Sequence, residues 1–204
     1  MKNRYQKRDV YMFDVETLEE DVYVNSIFTD VSFDDDILGK SFDNCEFINC
    51  TFKGKIKNTT FLNVKFYKCE LSNVMILNTG LHYVLFDTCH MIGFNLVDSK
   101  IKNSEFVKSH MNYGSFSSSS IEETDFVDTN MKSFRIDEVS MGKNVVFDIC
   151  DMEDCEVFYT SMSNVDVSTS KISGLRIDTQ NVRGLIVNEV QAIELISLLG
   201  VVIK

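Results

Sequence analysis

The sequence predicts an all-β solenoid, a four-sided β-helix of about nine coils, from three repeating patterns. Apolar residues recur every five positions, which matches neither the 3.6-residue period of an α-helix nor the two-residue period of a strand. A small residue stands two positions before most of these apolar residues, and like residues recur about every 20 positions. Short, fixed periods of this kind are typical of stacked architectures in which each repeat contacts only its neighbours.

The five-residue period is unbroken through the middle of the chain. All 18 positions reached in steps of five from Ile56 to Met141 are apolar. Outward from this run the pattern starts at Phe13, shortens to a step of four before Ile37 and Ile56, lengthens to six after Met141, and ends at Val187. We expect each unit to form one side of a coil, with its large apolar residue and its small residue pointing inward.

Four such sides close a coil of about 20 residues, so residues about 20 apart should stack in columns along the axis. Proline is absent from the chain, as expected where strands have a neighbour on both sides. Like residues do recur at this spacing, and like neighbours suit a stacked interior. The predicted core columns are Phe28, Phe47, Phe66, Phe86, Phe106, Phe126 and Phe147, and Met91, Met111, Met131 and Met152.

The five-residue units resemble those of the pentapeptide-repeat family. Examples are the units Cys45-Glu46-Phe47-Ile48-Asn49 and Ser104-Glu105-Phe106-Val107-Lys108. The resemblance extends from about Phe13 to Asn188 and implies a right-handed quadrilateral β-helix. We therefore divide the chain into an N-terminal lead-in at 1–12, the β-helix at 13–188, and a capping and dimerisation module at 189–204.

The C-terminal module is predicted to be a helix followed by a short strand. Asn188 is suited to the N-cap, and Gly200 is suited to the residue after the helix. The module has more apolar surface than a lid over one open coil needs, so we expect a homodimer with an isologous contact. The residues predicted to form the dimer contact are Ala192, Ile193, Leu195, Ile196, Leu199, Val201 and Val202.

The same tail is similar to the C-terminal module of Qnr-type proteins. The similarity lies in 184–187, 191–192 and 199–203. This topoisomerase-protecting group includes MfpA and the microcin-immunity (McbG-like) proteins. The resemblance implies a tail-to-tail dimer, DNA mimicry by an acidic rod, binding to DNA gyrase or topoisomerase IV, and quinolone resistance. Many enterobacterial members have two projecting loops. Here the largest irregularity is one extra residue between Met141 and Phe147, so protection through such loops is not expected.

The charge of the chain is strongly acidic, with 31 acids against 20 bases and a net charge of −11. This balance disfavours direct binding to nucleic acid or to an anionic membrane surface. It suits either a partner with a basic groove or solubility alone. We define the acidic belt, the candidate partner-binding surface, as Glu122, Glu123, Asp125, Asp128, Asp148, Asp151, Glu153, Asp154 and Glu156. Partner contact and a merely solvated face both remain open for it.

Neither catalysis nor a cofactor is expected. All six cysteines occupy the small inward site, and no CxxC spacing occurs, which favours a structural role. His90 and His110 stand 20 apart at an outward site, which is a weak indication of metal binding. No phosphate-binding loop, HExxH motif or serine elbow is present. No secretory signal or membrane span is recognisable, which favours the cytoplasm.

The leading functional hypothesis is a cytoplasmic, dimeric, DNA-mimicking protein that binds a bacterial type II topoisomerase. It would protect that enzyme from quinolones or similar inhibitors. Two alternatives remain open. One is a structural or scaffold protein with another protein partner, and the other is a self-immunity protein against a gyrase-targeting toxin.

Overall fold

The computed structural model describes residues 4–5, 12–14, 16–196 and 198. Short strands follow one another around a square coil, and one helix closes the C-terminal end. The strands are β1 (Phe13–Asp14), β2 (Val22–Val24), β3 (Ser26–Thr29), β4 (Ser32–Phe33), β5 (Ile37–Leu38), β6 (Ser41–Asp43), β7 (Glu46–Ile48), β8 (Thr51–Phe52), β9 (Ile56–Lys57), β10 (Thr60–Leu62), β11 (Lys65–Tyr67), β12 (Met75–Leu77), β13 (Gly80–His82), β14 (Leu85–Asp87), β15 (Asn95–Val97), β16 (Lys100–Val107), β17 (Ser115–Ser117), β18 (Ser120–Val127), β19 (Arg135–Asp137), β20 (Ser140–Met141), β21 (Val145–Asp148), β22 (Glu156–Phe158) and β23 (Arg176–Ile177). The helix is α1 (Glu189–Ile196).

All strand pairs of the described residues are parallel and join equivalent sides of successive coils. We call the four sides faces A to D, in chain order. Face A carries the Phe28 column, face B the Met91 column, face C the Ile76 column and face D the Phe61 column. Face C forms a sheet of eight strands from β5 to β23. Faces A and D share a sheet of 13 strands, because β16 and β18 continue around the corner between them. Face B is held by the pair β4–β8 and by isolated bridges.

The register confirms the predicted columns and the shifts between them. Phe28 pairs with Phe47 and Phe47 with Phe66, each at an offset of 19 residues, and Phe66 pairs with Phe86 at an offset of 20. The extra residue after Met141 raises the offset to 21, at the pair Phe126 and Phe147. The fold class predicted from the sequence, a four-sided all-β solenoid with a C-terminal helix, is thus confirmed.

The phenylalanine column forms a continuous stack through the interior. Successive rings from Phe28 to Phe147 lie 4.7–4.9 Å apart between centroids, with interplanar angles of 6–12°. Each of these rings is at most 1% exposed. A centroid spacing this close to the 4.7–4.9 Å distance between neighbouring strands indicates that ring stacking and backbone pairing impose the same repeat.

The small inward site is explained by a hydrogen bond to the main chain. On the corner between faces A and B, the thiol of Cys69 donates to the Phe47 carbonyl at 3.3 Å, and the hydroxyl of Thr129 donates to the Phe106 carbonyl at 3.1 Å. A short side chain with one hydrogen-bond donor, either a thiol or a hydroxyl group, fits this position. The site therefore accepts Cys, Ser or Thr, and the cysteines are structural, as predicted.

Two large residues at the small site, Phe94 and Phe134, are accommodated by a glycine between them. Both rings are fully buried, and Gly114 occupies the same column one layer from each. A Cβ atom on Gly114 would lie 2.7 Å from the Phe134 ring and 2.5 Å from the Phe94 carbonyl oxygen. The missing side chain of Gly114 thus leaves the volume that the Phe134 ring and the main chain of Phe94 occupy.

The coil corners require a left-handed backbone. The residue two positions after each inward residue has φ between 47° and 69° at nearly every corner up to Asn164. Asparagine tolerates this conformation, and its amide also forms ladders between layers. For example, Asn63 Nδ2 donates to Asn44 Oδ1 at 2.9 Å.

The N-terminal start of the pattern was predicted wrongly. Phe13 is 58% exposed and pairs with Ser26 rather than stacking on an inward residue. Its strand β1 is therefore out of phase with the repeat, and the inward series begins at Leu18. The solenoid makes about eight turns, compared with about nine predicted, and the loss of Phe13 from the series accounts for part of this difference.

Helix α1 begins as predicted at an Asn188 N-cap. Asn188 Oδ1 accepts from the Gln191 amide at 3.0 Å, and Gln191 Oε1 accepts from the Asn188 amide at 2.8 Å, which is a reciprocal capping box. Gln191 Nε2 donates to the carbonyls of Val167 and Ser170 at 2.8 and 2.6 Å. The helix therefore satisfies main-chain acceptors of the last coil. The predicted Gly200 stop and the short strand after it lie outside the described residues.

Candidate protein-interaction surface

The nine residues of the acidic belt lie on all four faces, and most of them are neutralised within the chain. On face B, Lys132 Nζ lies 2.6 Å from Glu153 Oε2 and 3.4 Å from Asp151 Oδ2. Lys171 lies 3.9 Å from the same Asp151 oxygen. These pairs hold carboxylates of successive layers together, and they reduce the charge that face B presents to a partner.

Faces C and D show the same pattern. On face C, Glu156 lies between two arginines, 3.9 Å from Arg135 and 2.6 Å from Arg176. On face D, Glu122 lies 3.0 Å from Lys102 and 3.8 Å from Lys143. Exposed pairs of this kind contribute little to stability, but they cancel the local field.

Face A also contains an ion pair, and its cation comes from the N-terminus. The Arg4 guanidinium binds Asp125 through two parallel hydrogen bonds, Nε to Oδ2 at 2.8 Å and Nη2 to Oδ1 at 2.7 Å. Arg4 Nη1 lies 3.2 Å from Glu123 Oε2. The hydrogen bond to Asp125 raises the pKa of Arg4 above its ordinary value. Sequence reasoning missed this contact, because no local pattern around Arg4 indicates a partner 121 residues away.

Three belt residues have no cation partner among the described residues: Asp128, Asp148 and Asp154. Asp128 and Asp148 lie on face A in successive layers, and Asp166, which was not part of the predicted belt, continues them in the next layer. We call Asp128, Asp148 and Asp166 the acidic strip. Successive layers are about 4.8 Å apart, and the three aspartates stand at different positions of their units, so the strip is a diagonal band of carboxylates without ion pairs to described cations.

Face A therefore differs from the opposite face C, where acids and arginines alternate. A row of one sign attracts a basic partner over a longer range than a neutralised ladder does. The strip could have been found in the sequence only by assigning each acid to a face and asking which cations share that face.

The histidines and cysteines form no recognisable metal site. His90 and His110 stack as predicted, with centroids 5.5 Å apart and an interplanar angle of 9°. Within the described residues no group of three or more His, Cys, Asp or Glu side chains could hold a metal ion. Cys50, Cys69 and Cys89 share a column, and all six cysteines are buried free thiols.

A shallow groove of about 440 Å³ crosses face D. Its lining includes Gly80, His82, Lys102 and Glu122. Burial and, secondarily, the charge of Lys102 lower the pKa of His82. Glu122 is paired with lysines. Charged groups that line the groove, such as Lys102 and Glu122, are thus already paired with one another.

The C-terminal helix presents part of its apolar surface to solvent. Ile193 is 55% exposed, as the predicted dimer contact requires, and Val190, which the sequence analysis did not include, is 67% exposed. Leu195 and Leu198 pack against the solenoid core. Ala192 and Ile196 are half-buried. Leu199, Val201 and Val202 lie outside the described residues. In the described part of the chain, no helix has the length and apolarity needed to cross a membrane.

No family model and no curated protein matches this chain. Among solved structures, QnrB1, a plasmid-mediated fluoroquinolone resistance protein, aligns with 87% of this chain and 98% of its own, at 14% identity and a TM-score of 0.46. HetL, a pentapeptide repeat protein involved in heterocyst differentiation regulation in the cyanobacterium Nostoc, aligns with 82% of this chain and 90% of its own, at 6% identity and a TM-score of 0.36. Both likenesses concern the fold, which the register and burial described above establish independently.

Proposed function

We propose that this protein is a non-catalytic, DNA-mimicking binding protein whose partner is a bacterial type II topoisomerase, either DNA gyrase or topoisomerase IV. In this proposal the rod occupies the basic groove that normally receives DNA and so protects the enzyme from quinolones or similar inhibitors. The observation that carries the proposal is the acidic strip on face A. Two of its residues, Asp128 and Asp148, belong to the predicted belt and form no ion pair with a described cation, and Asp166 adds a third carboxylate on the same face.

The charge distribution supports face A as the contact. A DNA-binding groove is lined by lysine and arginine side chains that neutralise phosphates. Asp128, Asp148 and Asp166 present carboxylates in three successive layers of face A, each at a different position of its unit, and none of them forms an ion pair with a described cation. On the other faces a partner would first have to break internal ion pairs, which reduces the net gain from electrostatic contact.

The shape of the rod supports binding rather than catalysis. About eight turns at about 4.8 Å per layer give a convex, rigid rod of about 40 Å. Stacked coils hold the carboxylates at fixed positions, so little conformational entropy is lost when a partner binds. A convex surface without a deep cleft does not desolvate reacting groups.

The exposed side of α1 supports a homodimer. Val190 and Ile193 are adjacent in space, since residues three apart share one side of a helix. A two-fold contact through this side would join two rods end to end. The face A strip lies in the C-terminal half, so a dimer would bring the two strips toward the centre of the particle. Sedimentation equilibrium of Ile193→Asp against the unchanged chain tests this part, and an unchanged mass would contradict it.

The function is tested by a supercoiling assay with purified gyrase and a quinolone, into which the protein is titrated. We expect rescue of supercoiling at low protein concentration and inhibition at high concentration. The double variant Asp128→Lys with Asp148→Lys should need at least about ten-fold more protein. Lysine fits the corner at Asp128, because Lys108 already occupies the equivalent left-handed position one layer above, with φ 50°, and Asp148 lies in an ordinary strand.

The matched control is Asp98→Lys with Asp178→Lys. These residues occupy the same two unit positions on face C, and Asp98 also has a left-handed φ of 49°. The control makes the same change in net charge on the opposite face and should keep its potency. If the two variants lose potency equally, the effect depends on net charge alone and not on face A. If the unchanged chain has no effect on supercoiling at any concentration, the topoisomerase is not its partner.

A scaffold function is the second candidate, and the internal ion pairs favour it. Six of the nine belt residues have intramolecular cation partners. Such internal pairing is expected of a surface that faces solvent and does not bind a partner through its charge. A scaffold protein should tolerate the face A reversal and should have no affinity for gyrase. A self-immunity protein would instead rescue gyrase from its producer's own toxin in the same assay.

A further inference from the structure

The first described residues of the chain lie on face A, far from their neighbours in sequence. Arg4 reaches Asp125, 121 residues away, and its side chain is 8% exposed. The amides of Arg4 and Tyr5 both donate to Glu105 Oε1. Glu105 is the register partner of Asp125 on the adjacent strand. Two residues of the N-terminus thus contact carboxylates in two successive layers.

These contacts bury acids that the repeat places outward. Glu105 and Asp125 occupy the solvent-facing position of their units but are 6% and 7% exposed, and Glu46 on the same face is 8% exposed. Tyr5 is itself 7% exposed. Burial and the nearby charge of Glu46 raise the pKa of Tyr5 to about 12. At the equivalent position on the opposite face, Arg135 is exposed.

The geometry at Asp125 shows which chemical group this site accepts. A planar guanidinium meets the carboxylate through two parallel hydrogen bonds. Arg4 Nη2 also lies 3.3 Å from the Asn144 carbonyl oxygen. The site therefore satisfies both the charge and the directional donors of an arginine, which a lysine could match only as a point charge.

The same site continues directly into the acidic strip. Asp125 lies one layer above Val146, with Asp148 in the same strand, and Asp128 follows Asp125 at the corner of the same coil. Without Arg4, the carboxylates of Glu105 and Asp125 would face each other without a cation between them, and the acidic strip would gain Asp125 in the layer of Asp128 and Glu105 in one further layer above it.

We propose that Glu105, Glu123 and Asp125 form an arginine-docking site, and that the N-terminal segment fills it in cis as an internal competitor of a basic protein partner. This inference rests on the proposed function only for the identity of that partner. The occupant expected in trans is an arginine of a DNA-binding groove. Displacement of Arg4 would add two carboxylates, and one layer, to the three layers of the acidic strip.

A structural role alone would make different predictions. If Arg4 only stabilises the rod, its replacement should weaken partner binding or leave it unchanged. If Arg4 competes, its replacement should strengthen binding. Because any loss of a cation makes the chain more acidic, the control is Arg135→Ala. This variant also removes an arginine that pairs with two carboxylates, but on face C.

The first arm of the experiment uses a peptide and no topoisomerase. A fluorescein-labelled peptide with the sequence of residues 1–12 is titrated against the full chain and against Arg4→Glu, in which a carboxylate would face Glu123 and Asp125 and expel the segment. We expect the peptide to bind Arg4→Glu at least about ten-fold more tightly than the unchanged chain. Binding should weaken as salt is raised and should be lost when the peptide itself carries Arg4→Ala.

Circular dichroism and urea unfolding show whether Arg4→Glu is folded, and Arg4→Ala replaces it in the titration if it is not. Equal peptide binding by the variant and the unchanged chain would overturn the docking site. In the second arm, Arg4→Ala should lower the protein concentration needed in the supercoiling assay by about five-fold, and Arg135→Ala should change it less than about two-fold. Equal potency of Arg4→Ala and the unchanged chain would overturn the competition.

The two arms separate this inference from the proposed function. If the peptide binds but neither the unchanged chain nor the variants affect gyrase, the topoisomerase is not the partner, and the arginine-docking site is still supported. An effect on gyrase without peptide binding would support the proposed function and remove the internal competitor.

Discussion

The central coils and the last coil of the solenoid use the same repeat but are stabilised differently. Between Ile56 and Met141 every coil has neighbours on both sides, fully buried columns and left-handed corners. After Asn164 the described corners with positive φ are glycines alone, Gly174 and Gly184, and Leu175 and Val187 are only partly buried. Each central coil packs between two coils of the same kind, whereas the last coil packs between one such coil and helix α1.

This difference shows that a perfect repeat does not give uniform stability. In a stack, the free energy of unfolding is the sum of an intrinsic contribution from each coil and a contribution from each contact between neighbouring coils. A central coil has two contact terms and the last coil one, supplemented by the hydrogen bonds of Gln191. Local opening should therefore begin at the C-terminal end and rarely in the middle.

The largest effect is expected from Phe106→Ala in the central stack. Phe106 is fully buried between two parallel rings, so its removal leaves a cavity and should cost about 3–5 kcal/mol. Val187→Ala in the same column at the last coil should cost about 1 kcal/mol, because the side chain is only partly buried. Urea unfolding measures both, and equal costs would contradict the comparison.

The next effect is expected from Gln191→Ala, which removes the device that completes the last coil. Two carbonyls, of Val167 and Ser170, would lose their donor in a buried place, which should cost about 2–3 kcal/mol. The loss should appear as faster amide exchange in residues 165–188 and not in the central coils. Glu189→Gln, in the exposed first turn, is the control and should cost less than about 1 kcal/mol.

A loss of stability of about 2 kcal/mol between about pH 8 and pH 10 is expected from a single buried thiol. Burial raises the pKa of Cys150 to about 12, whereas an unfolded thiol has a pKa near 8.5. The folded state thus prefers the neutral thiol. Its stabilising contribution is complete below about pH 8.5 and is lost toward pH 12, at about 1.4 kcal/mol per unit.

Cys150→Ser tests this, because serine already occupies the equivalent site at Ser109 and Ser170. Urea unfolding of both chains at several pH values between about 8 and 10 should give a shallower loss for the variant. Parallel pH profiles would show that the Cys150 thiol does not contribute. The last coil has Ser170 in this column and no cysteine, so it should not share this alkaline sensitivity.

The smallest effect is a gain from Ile149→Asn. Ile149 has φ 56° and is 62% exposed, so a β-branched residue is strained at a left-handed corner without compensating burial. Asparagine should stabilise the chain by about 1 kcal/mol. Ile92→Asn is the control, since Ile92 is an exposed isoleucine without positive φ. A gain of the same size in the control would show that polarity, and not backbone strain, is responsible.

The sequence predicted the columns, the phase shifts and the capped helix because each depends on spacing along the chain. It failed at Phe13, where a strand pairs out of phase with the repeat, since an apolar residue at the right spacing carries no information about register. It also did not indicate the contact of Arg4 or the ion pairs of the acidic belt. Those depend on which residues share a face and on a contact across 121 residues, which no local pattern contains.

The Arg4 contact also has a consequence for synthesis of the chain. The N-terminus leaves the ribosome first, but Asp125 and Asn144 follow about 120 and 140 residues later. At about 5–20 residues per second, this delay is roughly 6–28 s. During that interval each new coil can stack on the one before it, while the first residues have no binding site. Docking of Arg4 therefore marks the moment when more than two thirds of the rod has been built.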